Sequence, residues 1–158
     1  MKRCLLAVDM QGFFRPSPGM VSQINQLALT MPTAATLMKH DETKVPLAKF
    51  GKPVPMDTSI GIACSNVFEK YGYAVPQAAL DWLKAQNPDE VLVAGGHTDG
   101  NVLSAGLDVF NAGMKPVIVP LLCYGNDWYM HTVTAKIWEQ ELGKVYQSVA
   151  ELKFGGLL

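Results

Sequence analysis

The sequence lacks an excess of charge of either sign. Thirteen Lys and Arg residues stand against fourteen Asp and Glu residues, which leaves a formal net charge of −1, and the basic residues form no run. Proteins that bind nucleic acids or anionic membranes need a positive surface for their partner. We therefore predict that the chain has no nucleic-acid partner and no membrane partner.

Long hydrophobic runs are also missing. Residues 1–14, MKRCLLAVDMQGFF, begin like a signal peptide with a basic pair and an apolar run. Asp9 interrupts that run after five residues, and no small-residue cleavage site follows. No apolar stretch approaches the roughly 18 residues of a membrane-spanning helix. The beginning of the chain is thus expected to be part of the fold.

Cysteine is scarce. Cys4, Cys64 and Cys123 are too few and too scattered for a disulfide framework, and no two of them have CxxC spacing. This pattern indicates reduced thiols, which are typical of a cytoplasmic protein.

What the chain does have is the composition of a globular domain. It contains 158 residues, of which 49% are hydrophobic and 17% are charged. That length suits one domain with one core, and we predict a single domain over residues 1–158.

Segments typical of strands and of helices alternate along the chain. Such alternation predicts βαβ units, hence an α/β fold with a mostly parallel sheet and helices on both faces. Residues 39–64 are polar and rich in Pro and Gly, and we expect a long loop there. The predicted strands are 3–8, 33–38, 65–70, 90–95, 115–122 and 144–149, and the predicted helices are 20–29, 76–87, 101–113 and 127–143.

Two of these helices allow finer predictions. Asp99 is the expected N-cap of helix 101–113, because a carboxylate can accept hydrogen bonds from the first free N–H groups. In helix 127–143 the spacing of the apolar residues predicts a core face made of Met130, Val133, Ile137 and Trp138.

Polar residues follow three of the predicted strands. Asp9 follows CLLAV, Lys70 ends NVFEK, and the turn GGHTDGN follows EVLVA. Ligands of parallel sheets bind beyond the carboxyl ends of the strands, so these groups should meet if the strands are neighbours. A buried Asp needs a cation and a buried Lys needs an anion, and such a pair can also exchange protons.

The glycine-rich turn has two interpretations. Gly95 and Gly96 allow unusual backbone angles, and Asn101 opens a helix whose first N–H groups lack partners within the helix. Such N–H groups can hold an anion or a developing oxyanion. An ordinary tight turn from strand to helix explains the same spacing equally well.

Taken together, LLAVDMQGFF, VFEKYGYAVP and EVLVAGGHTDGNVLSAGLDVFNAG resemble the isochorismatase-like cysteine hydrolases, a family that includes nicotinamidases. The resemblance runs from about residue 3 to about residue 147. It implies a doubly wound fold on a six-stranded parallel sheet. It also implies that Asp9 and Lys70 are catalytic and that Gln11 is the glutamine of the D-x-Q motif.

The resemblance breaks at one position. The third motif of the family is commonly G-x-x-T-D-x-C-V, and GGHTDGNV places Asn101 where the cysteine belongs. By the resemblance, the peptide bond Gly96–His97 is cis, and the backbone N–H groups of His97 and Asn101 form an oxyanion hole. The family mechanism needs a thiolate, which an amide cannot supply. Cys64 and Cys123 are weak candidates for a replacement.

No metal and no cofactor are expected. Nicotinamidases carry an Asp-x-His cluster beside the pocket, whereas the corresponding segment here is MKHDETK. His40, His97 and His131 are far apart in the sequence.

Three hypotheses about function remain open. The first is a hydrolase that works without the cysteine, with Asp9 as general acid, Lys70 as its orienting partner and Asn101 in the pocket wall, as in isochorismatases. The second is a degenerate member that binds a small ligand or acts as a scaffold. The third is a hydrolase that uses another nucleophile, such as water activated by Asp9.

Aromatic residues near the motifs provide candidate pocket walls. Gln11, Phe14 and Tyr73 are the predicted substrate-binding residues, with Phe13 and Tyr71 as further candidates. Packing in the core or at a subunit interface explains the aromatic residues equally well. The apolar helix 101–113 favours a homo-oligomer, a dimer or a tetramer, and the expected ligand is a small molecule.

Overall fold

The computed structural model describes residues 1–154, so the last four residues of the predicted domain, 155–158, lie outside it. Within this range six strands form one parallel sheet in the order β3-β2-β1-β4-β5, with β6 also on β4. The strands are β1 Arg3–Val8, β2 Thr33–Met38, β3 Val67–Lys70, β4 Glu90–Gly96, β5 Pro116–Val117 and β6 Cys123–Tyr124. The predicted α/β architecture with a parallel sheet is therefore confirmed.

Five helices cover the sheet in the described range: α1 Pro18–Ala28, α2 Gln77–Ala85, α3 Leu103–Asn111, α4 Trp128–Glu141 and α5 Val149–Phe154. Local chemistry explains several of their starts. Ser17 caps α1 by accepting a hydrogen bond from the Met20 N–H, and Asp127 caps α4 through the N–H groups of Tyr129 and Met130. Among residues 1–154, no helix is both long enough and apolar enough to cross a membrane.

The core has two halves, one on each face of the sheet. Alternate residues of β1 serve both halves: Cys4, Leu6 and Val8 pack toward the side of α2, α3 and α4, whereas Leu5 and Ala7 pack toward α1 and α5. All five are fully buried. A strand that is buried on both faces reads as a continuous apolar run, which is the pattern of residues 4–8.

The end of the sheet differs from the prediction. The predicted strand 115–122 is interrupted: β5 ends at Val117, a short 3-10 turn covers Pro120–Leu122, and β6 follows. Both pieces pair with β4, at Leu92 and at Gly95. Proline has no N–H to donate, so Pro120 breaks the ladder between them.

The predicted closing strand 144–149 is also wrong. Only Val145 pairs, through an isolated bridge with Ile118, and helix α5 begins at Val149. The sixth strand is therefore β6. The segment 39–64 forms an irregular loop with turns, as predicted.

Helix α4 buries the predicted Trp138, but the rest of its core face differs from the prediction, and Val133 is only half-buried. Its buried residues are His131, Thr134 and Trp138, whereas Met130 and Ile137 are each 39% exposed. The side chains at 131, 134 and 138 follow helical spacing, so they share one face. Polar residues on that face lie next to the site described below, where His131 and Thr98 form a hydrogen bond.

Candidate active site

The carboxyl ends of four neighbouring strands converge on one edge of the sheet. Because the strand order is β3-β2-β1-β4, the residues that follow or end these strands lie side by side. Lys70 is the last residue of β3, Asp9 follows β1, and the turn containing Asn101 follows β4. The sheet thereby brings Asn101 together with Asp9 and Lys70, the two side chains that the resemblance implies are catalytic.

Asp9 is the centre of the resulting cluster. The ammonium of Lys70 lies 2.7 Å from Asp9 Oδ2, and the same oxygen accepts a hydrogen bond of 2.5 Å from Asn101 Nδ2. Asp9 Oδ1 accepts a hydrogen bond of 2.7 Å from the hydroxyl of Thr36, which also accepts one from the Asp9 N–H. Asp9 and Thr36 are fully buried, and Lys70 is 3% exposed. Every one of these side-chain partners donates to the carboxylate.

Thr36 is a member of the cluster that sequence reasoning missed. It lies in β2 within TAATLM, a segment that we used only as evidence for a strand. The sequence signal for Thr36 was its hydroxyl, which lies on a strand that is buried along its whole length. A buried hydroxyl needs a hydrogen-bond partner.

Two glycines let the turn after β4 pass close to its neighbours. Gly95 has a φ of +125°, and a Cβ there would lie 2.1 Å from the Val8 carbonyl oxygen. A Cβ on Gly96 would lie 2.3 Å from the ring of Tyr124. Both positions therefore exclude a side chain. The peptide bond Gly96–His97 is cis, as the resemblance implied.

The helix that follows does not begin at Asn101. A π-helical turn covers Thr98–Val102, with His97 as its N-cap, and α3 begins at Leu103. The predicted N-cap role of Asp99 is wrong, since Asp99 lies inside the first turn and no side chain caps either start. Asn101 is thus held in the tight π turn, where it is 4% exposed.

A small pocket of about 220 Å³ opens beside the cluster. Its apolar wall consists of Phe13, Phe14, Met38 and Pro53. Its polar wall consists of Tyr73, His97, Asp99, Gly100, Asn101 and Asn126. Of the three clustered side chains, only Asn101 lines the pocket, and Asp9 and Lys70 lie behind it.

The predicted substrate-binding residues separate into two groups. Phe14 and Tyr73 line the pocket, and Phe14 also packs edge-on against the His97 ring at 5.3 Å. Tyr71 does not line it and instead lies under the ammonium of Lys44 at 3.7 Å.

Gln11 is also outside the pocket wall. It is fully buried, accepts a hydrogen bond from the Met38 N–H, and donates to the carbonyl oxygens of Met38 and Asp57. Asp57 in turn accepts a hydrogen bond from the Phe13 N–H. Gln11 therefore joins the end of β2 to the loop that carries the aromatic wall.

None of the three cysteines lines this pocket. Cys64 donates to the carbonyl oxygen of Thr33, at the start of β2 and so at the opposite end of the sheet. Cys123 borders a neighbouring pocket, but its thiol donates to the Val93 carbonyl oxygen, and burial raises its pKa to about 12. A thiol with that pKa stays protonated and is a poor nucleophile near neutral pH.

Two histidines lie beside the turn. Burial lowers the pKa of His97, and the nearby charges of Asp99 and Asp9 oppose that shift only in part. Burial likewise lowers the pKa of His131, whose Nδ1 lies 2.8 Å from the Thr98 hydroxyl. Both rings are therefore neutral at pH 7.

Comparison with known proteins establishes the fold. No family model and no curated protein sequence matches the chain. Among solved structures, an isochorismatase-like hydrolase from Alkaliphilus metalliredigens is similar, with a TM-score of 0.79, 14% identity and coverage of 98% of this chain and 99% of that one. A nicotinamidase from Bacillus subtilis has a TM-score of 0.74, 17% identity and coverage of 93% and 100%. The chain thus has the isochorismatase-like fold.

A third similar structure raises the question of a metal. It is a pyrazinamidase from Pyrococcus horikoshii in complex with zinc, with a TM-score of 0.77, 16% identity and coverage of 94% and 100%. In residues 1–154 of the present chain, no group of three or more His, Cys, Asp or Glu side chains is placed to hold a metal ion. These residues do not fit a zinc site of that kind.

Proposed function

We propose that the chain is a hydrolase of small molecules in which Asp9 and Lys70 act on water, without a cysteine nucleophile. The observation that carries this proposal is the buried cluster in which Asp9 Oδ2 lies 2.7 Å from Lys70 Nζ and 2.5 Å from Asn101 Nδ2, directly behind a pocket. The fold of the similar hydrolases supports the same reaction class.

The proposed step uses the carboxylate of Asp9 as a base. Asp9 takes a proton from water while the water oxygen bonds to a carbonyl carbon of the substrate. The bond from that carbon to the leaving group then breaks, and the proton passes to the leaving group. Lys70 balances the charge of Asp9 and fixes its position. The backbone N–H groups of His97 and Asn101 are proposed to hold the oxyanion.

The contacts favour a base over the general acid of the first hypothesis. The side-chain partners of the Asp9 carboxylate are Thr36, Lys70 and Asn101, and all of them donate hydrogen bonds to it. A general acid would instead present a proton to the substrate. Furthermore, no Lys or Arg lines the described pocket, so a dianion such as isochorismate would meet no cation there.

One feature of the cluster constrains the reaction. Asp9 is fully buried, and its Oδ2 is already occupied by the Asn101 amide. The proposed reaction therefore requires the Asn101 side chain to leave Oδ2 so that water can reach it.

Hydrolysis of a panel of small amides and esters, followed by product release, tests this proposal. We expect Asp9→Asn to lower the rate by about 10²–10⁴-fold, the usual contribution of a positioned acid or base. The double variant Asp9→Asn with Lys70→Met leaves no unpaired buried charge and should be equally inactive. The matched control Asp81→Asn, on the exposed side of α2, and Cys64→Ala should keep the wild-type rate. Equal rates for wild type and Asp9→Asn would refute the proposal.

Because Asp9 Oδ2 already contacts both Lys70 and Asn101, there is a second candidate function. In it the protein binds a ligand without turning it over. In that case the wild type hydrolyses nothing in the panel, and Asn101→Cys gains amidase activity because the pocket lacks only its thiol. An inactive wild type together with an inactive Asn101→Cys variant would contradict both candidates.

Two further features belong to the proposal. The exposed apolar side chains Leu121, Trp128 and Tyr129, with exposures of 69%, 80% and 72%, support a homo-oligomer. The three free thiols support a cytoplasmic location, where cysteines stay reduced.

A further inference from the structure

The charged side chains around the pocket give it a net negative charge. Its titratable lining residues are Tyr73, His97 and Asp99, and neither Lys nor Arg lines it. His97 is neutral at pH 7 because burial lowers its pKa. The ammonium of Lys70 lies behind the wall, 2.7 Å from Asp9, so these two charges compensate each other. Asp99 remains as the one charged group of the lining.

Asn101 adds a hydrogen-bond acceptor to the same wall. Its Nδ2 donates to Asp9 Oδ2, and the reverse orientation would set the amide oxygen against a carboxylate oxygen. The orientation of the amide is therefore determined. Within residues 1–154 no group donates to Asn101 Oδ1, although the residue is 4% exposed. Oδ1 is not among the buried atoms that lack a partner, so it reaches solvent as a free acceptor of a residue that lines the pocket.

Asp99 lies two residues before Asn101 in the same π turn. Asp99 is exposed, its carboxylate takes part in no hydrogen bond or ion pair with the described residues, and its charge acts on the rings of His97 and His131. A carboxylate and an amide oxygen on one wall match a ligand that brings N–H donors and a positive charge.

The aromatic side chains of the lining suit the same kind of ligand. Phe13 and Phe14 pack edge-to-face at 5.0 Å, and Tyr73 lines the same pocket. Aromatic faces attract organic cations, especially in a partly desolvated pocket. With about 220 Å³, the pocket is smaller than the roughly 300–1,000 Å³ typical of drug-sized ligands.

From these observations we infer that the pocket selects a small organic cation with N–H donors, such as an amidinium, a guanidinium or a primary ammonium group. Asp99 contacts the positive group, Asn101 Oδ1 accepts an N–H, and the aromatic wall covers the rest of the ligand. This inference rests on the proposed function for the identity of the pocket as the substrate site, and it adds the class of substrate.

Three probes of nearly the same shape test the inference: benzamidinium, benzamide and benzoate, which carry charges of about +1, 0 and −1 at pH 7. Their equilibrium binding is measured by calorimetry at low ionic strength. We expect benzamidinium to bind about three- to fivefold more tightly than benzamide, with benzoate weakest, because a contact with an exposed carboxylate changes affinity by only a few-fold at low ionic strength.

Asp99→Asn identifies the source of the preference. It should weaken benzamidinium binding by about three- to fivefold and change benzamide binding by less than about 1.5-fold, because only the former loses a charge contact. The control Asp81→Asn should change neither. Equal or tighter binding of benzoate, no binding of any probe, or a preference that survives Asp99→Asn would overturn the inference.

Failure of this inference and failure of the proposed hydrolysis give different results. Ammonia release from benzamide is followed in the same samples and reports hydrolysis independently of charge preference. Cation preference without hydrolysis of any substrate supports the inference and contradicts the proposed reaction. Hydrolysis without cation preference supports the reaction and overturns the inference.

Discussion

At the scale of single residues, Asn101 decides what the site offers to a ligand. Its amide N–H donates to Asp9, and the residue lines the pocket. An amide is not a nucleophile, so position 101 contributes hydrogen bonds and no thiolate. The same contact covers the carboxylate, which makes Asn101 a residue that controls access to Asp9 in the proposed reaction.

Thr36 provides the first prediction. Its hydroxyl donates to Asp9 Oδ1 and accepts from the Asp9 N–H, and both atoms are buried. Thr36→Val keeps the shape but leaves these groups unpaired, so we expect the free energy of unfolding to fall by about 1–3 kcal/mol. Urea unfolding measures it. Thr132→Val, at an exposed position on α4, should stay within about 0.5 kcal/mol. Equal small effects of both variants would contradict the role of Thr36.

At the scale of secondary-structure elements, a buried ion cluster joins the amino ends of the central strands. Glu90 of β4 accepts hydrogen bonds from Arg3 Nε at 2.8 Å, Lys115 Nζ at 2.9 Å and the Tyr146 hydroxyl at 2.9 Å. Burial by itself would raise the pKa of Glu90, but these hydrogen bonds outweigh burial and lower it. The cluster lies at the opposite end of the sheet from the pocket, so it stabilises the fold and takes no part in the site.

The lowered pKa of Glu90 predicts a loss of stability in acid. The stabilisation by the Glu90 carboxylate is complete at pH values above 4.5, the ordinary pKa of this side chain, where the carboxyl of the unfolded chain is ionised. It disappears as the pH falls through the lower pKa that Glu90 has in the folded protein. We expect Glu90→Gln to be less stable than wild type by roughly 1.5–3 kcal/mol at pH 7, and the difference should shrink toward pH 3. Urea midpoints at both pH values measure this.

A difference for Glu90→Gln that stayed constant between pH 7 and pH 3 would contradict this assignment. Glu139→Gln, at an exposed position on α4, is the matched control and should show little effect at either pH.

The contact between α3 and α4 yields a third prediction. A Cβ on Gly106 of α3 would lie 2.4 Å from the ring of Trp138, which is fully buried. We expect Gly106→Ala to destabilise the protein by about 1–3 kcal/mol, the usual cost of overpacking a core. Thermal unfolding measures the effect.

Gly19 of α1 is the matched control for Gly106, because a Cβ there would meet nothing within 4 Å. Gly19→Ala should be neutral or stabilising by up to about 1 kcal/mol, since alanine has the higher helix propensity. A tolerated Gly106→Ala would show that α3 and α4 separate more easily than their packing indicates.

At the scale of the whole molecule, three large apolar side chains between β5 and the first turn of α4 are strongly exposed, and two of them, Leu121 and Trp128, line one surface pocket. Leu121, Trp128 and Tyr129 lie within nine residues of one another and are all more than two-thirds exposed. Isolated exposed apolar residues are common, but a cluster with this many large side chains is typical of an interaction surface.

We therefore predict that the protein is a dimer or a tetramer in solution and that Trp128 lies in the interface. Light scattering coupled to size-exclusion chromatography measures the mass. Trp128→Asp should shift the protein toward the monomer, because a charge would be buried without a partner. Phe50→Asp, at another exposed aromatic position in the long loop, is the control and should leave the mass unchanged. A monomeric wild type would contradict this prediction.

Much of the architecture could be predicted from the sequence. The exceptions depend on a single proline or on a remote polar partner, which the apolar pattern does not show. The buried runs of β1 and β4 were recognisable because strands covered on both faces are apolar throughout. The last part of the sheet was not, since residues 115–122 are equally apolar but contain Pro120, whose missing N–H splits the strand into β5 and β6. In α4, Met130 and Ile137 were expected in the core, yet the helix turns His131 and Thr134 inward, where Thr98 provides a polar partner for His131.

The sequence by itself determined the first four strands along the chain, the polar residues at the ends of three of them, and the presence of an amide in place of a nucleophile at position 101. These properties depend on local composition and on the identity of single residues. Tertiary structure alone decided that Gln11 joins the end of β2 to a loop, that Thr36 holds Asp9, and that Asp9 orients the Asn101 amide. The reason is that hydrogen-bond partners are chosen by distance and direction between strands that are remote in sequence.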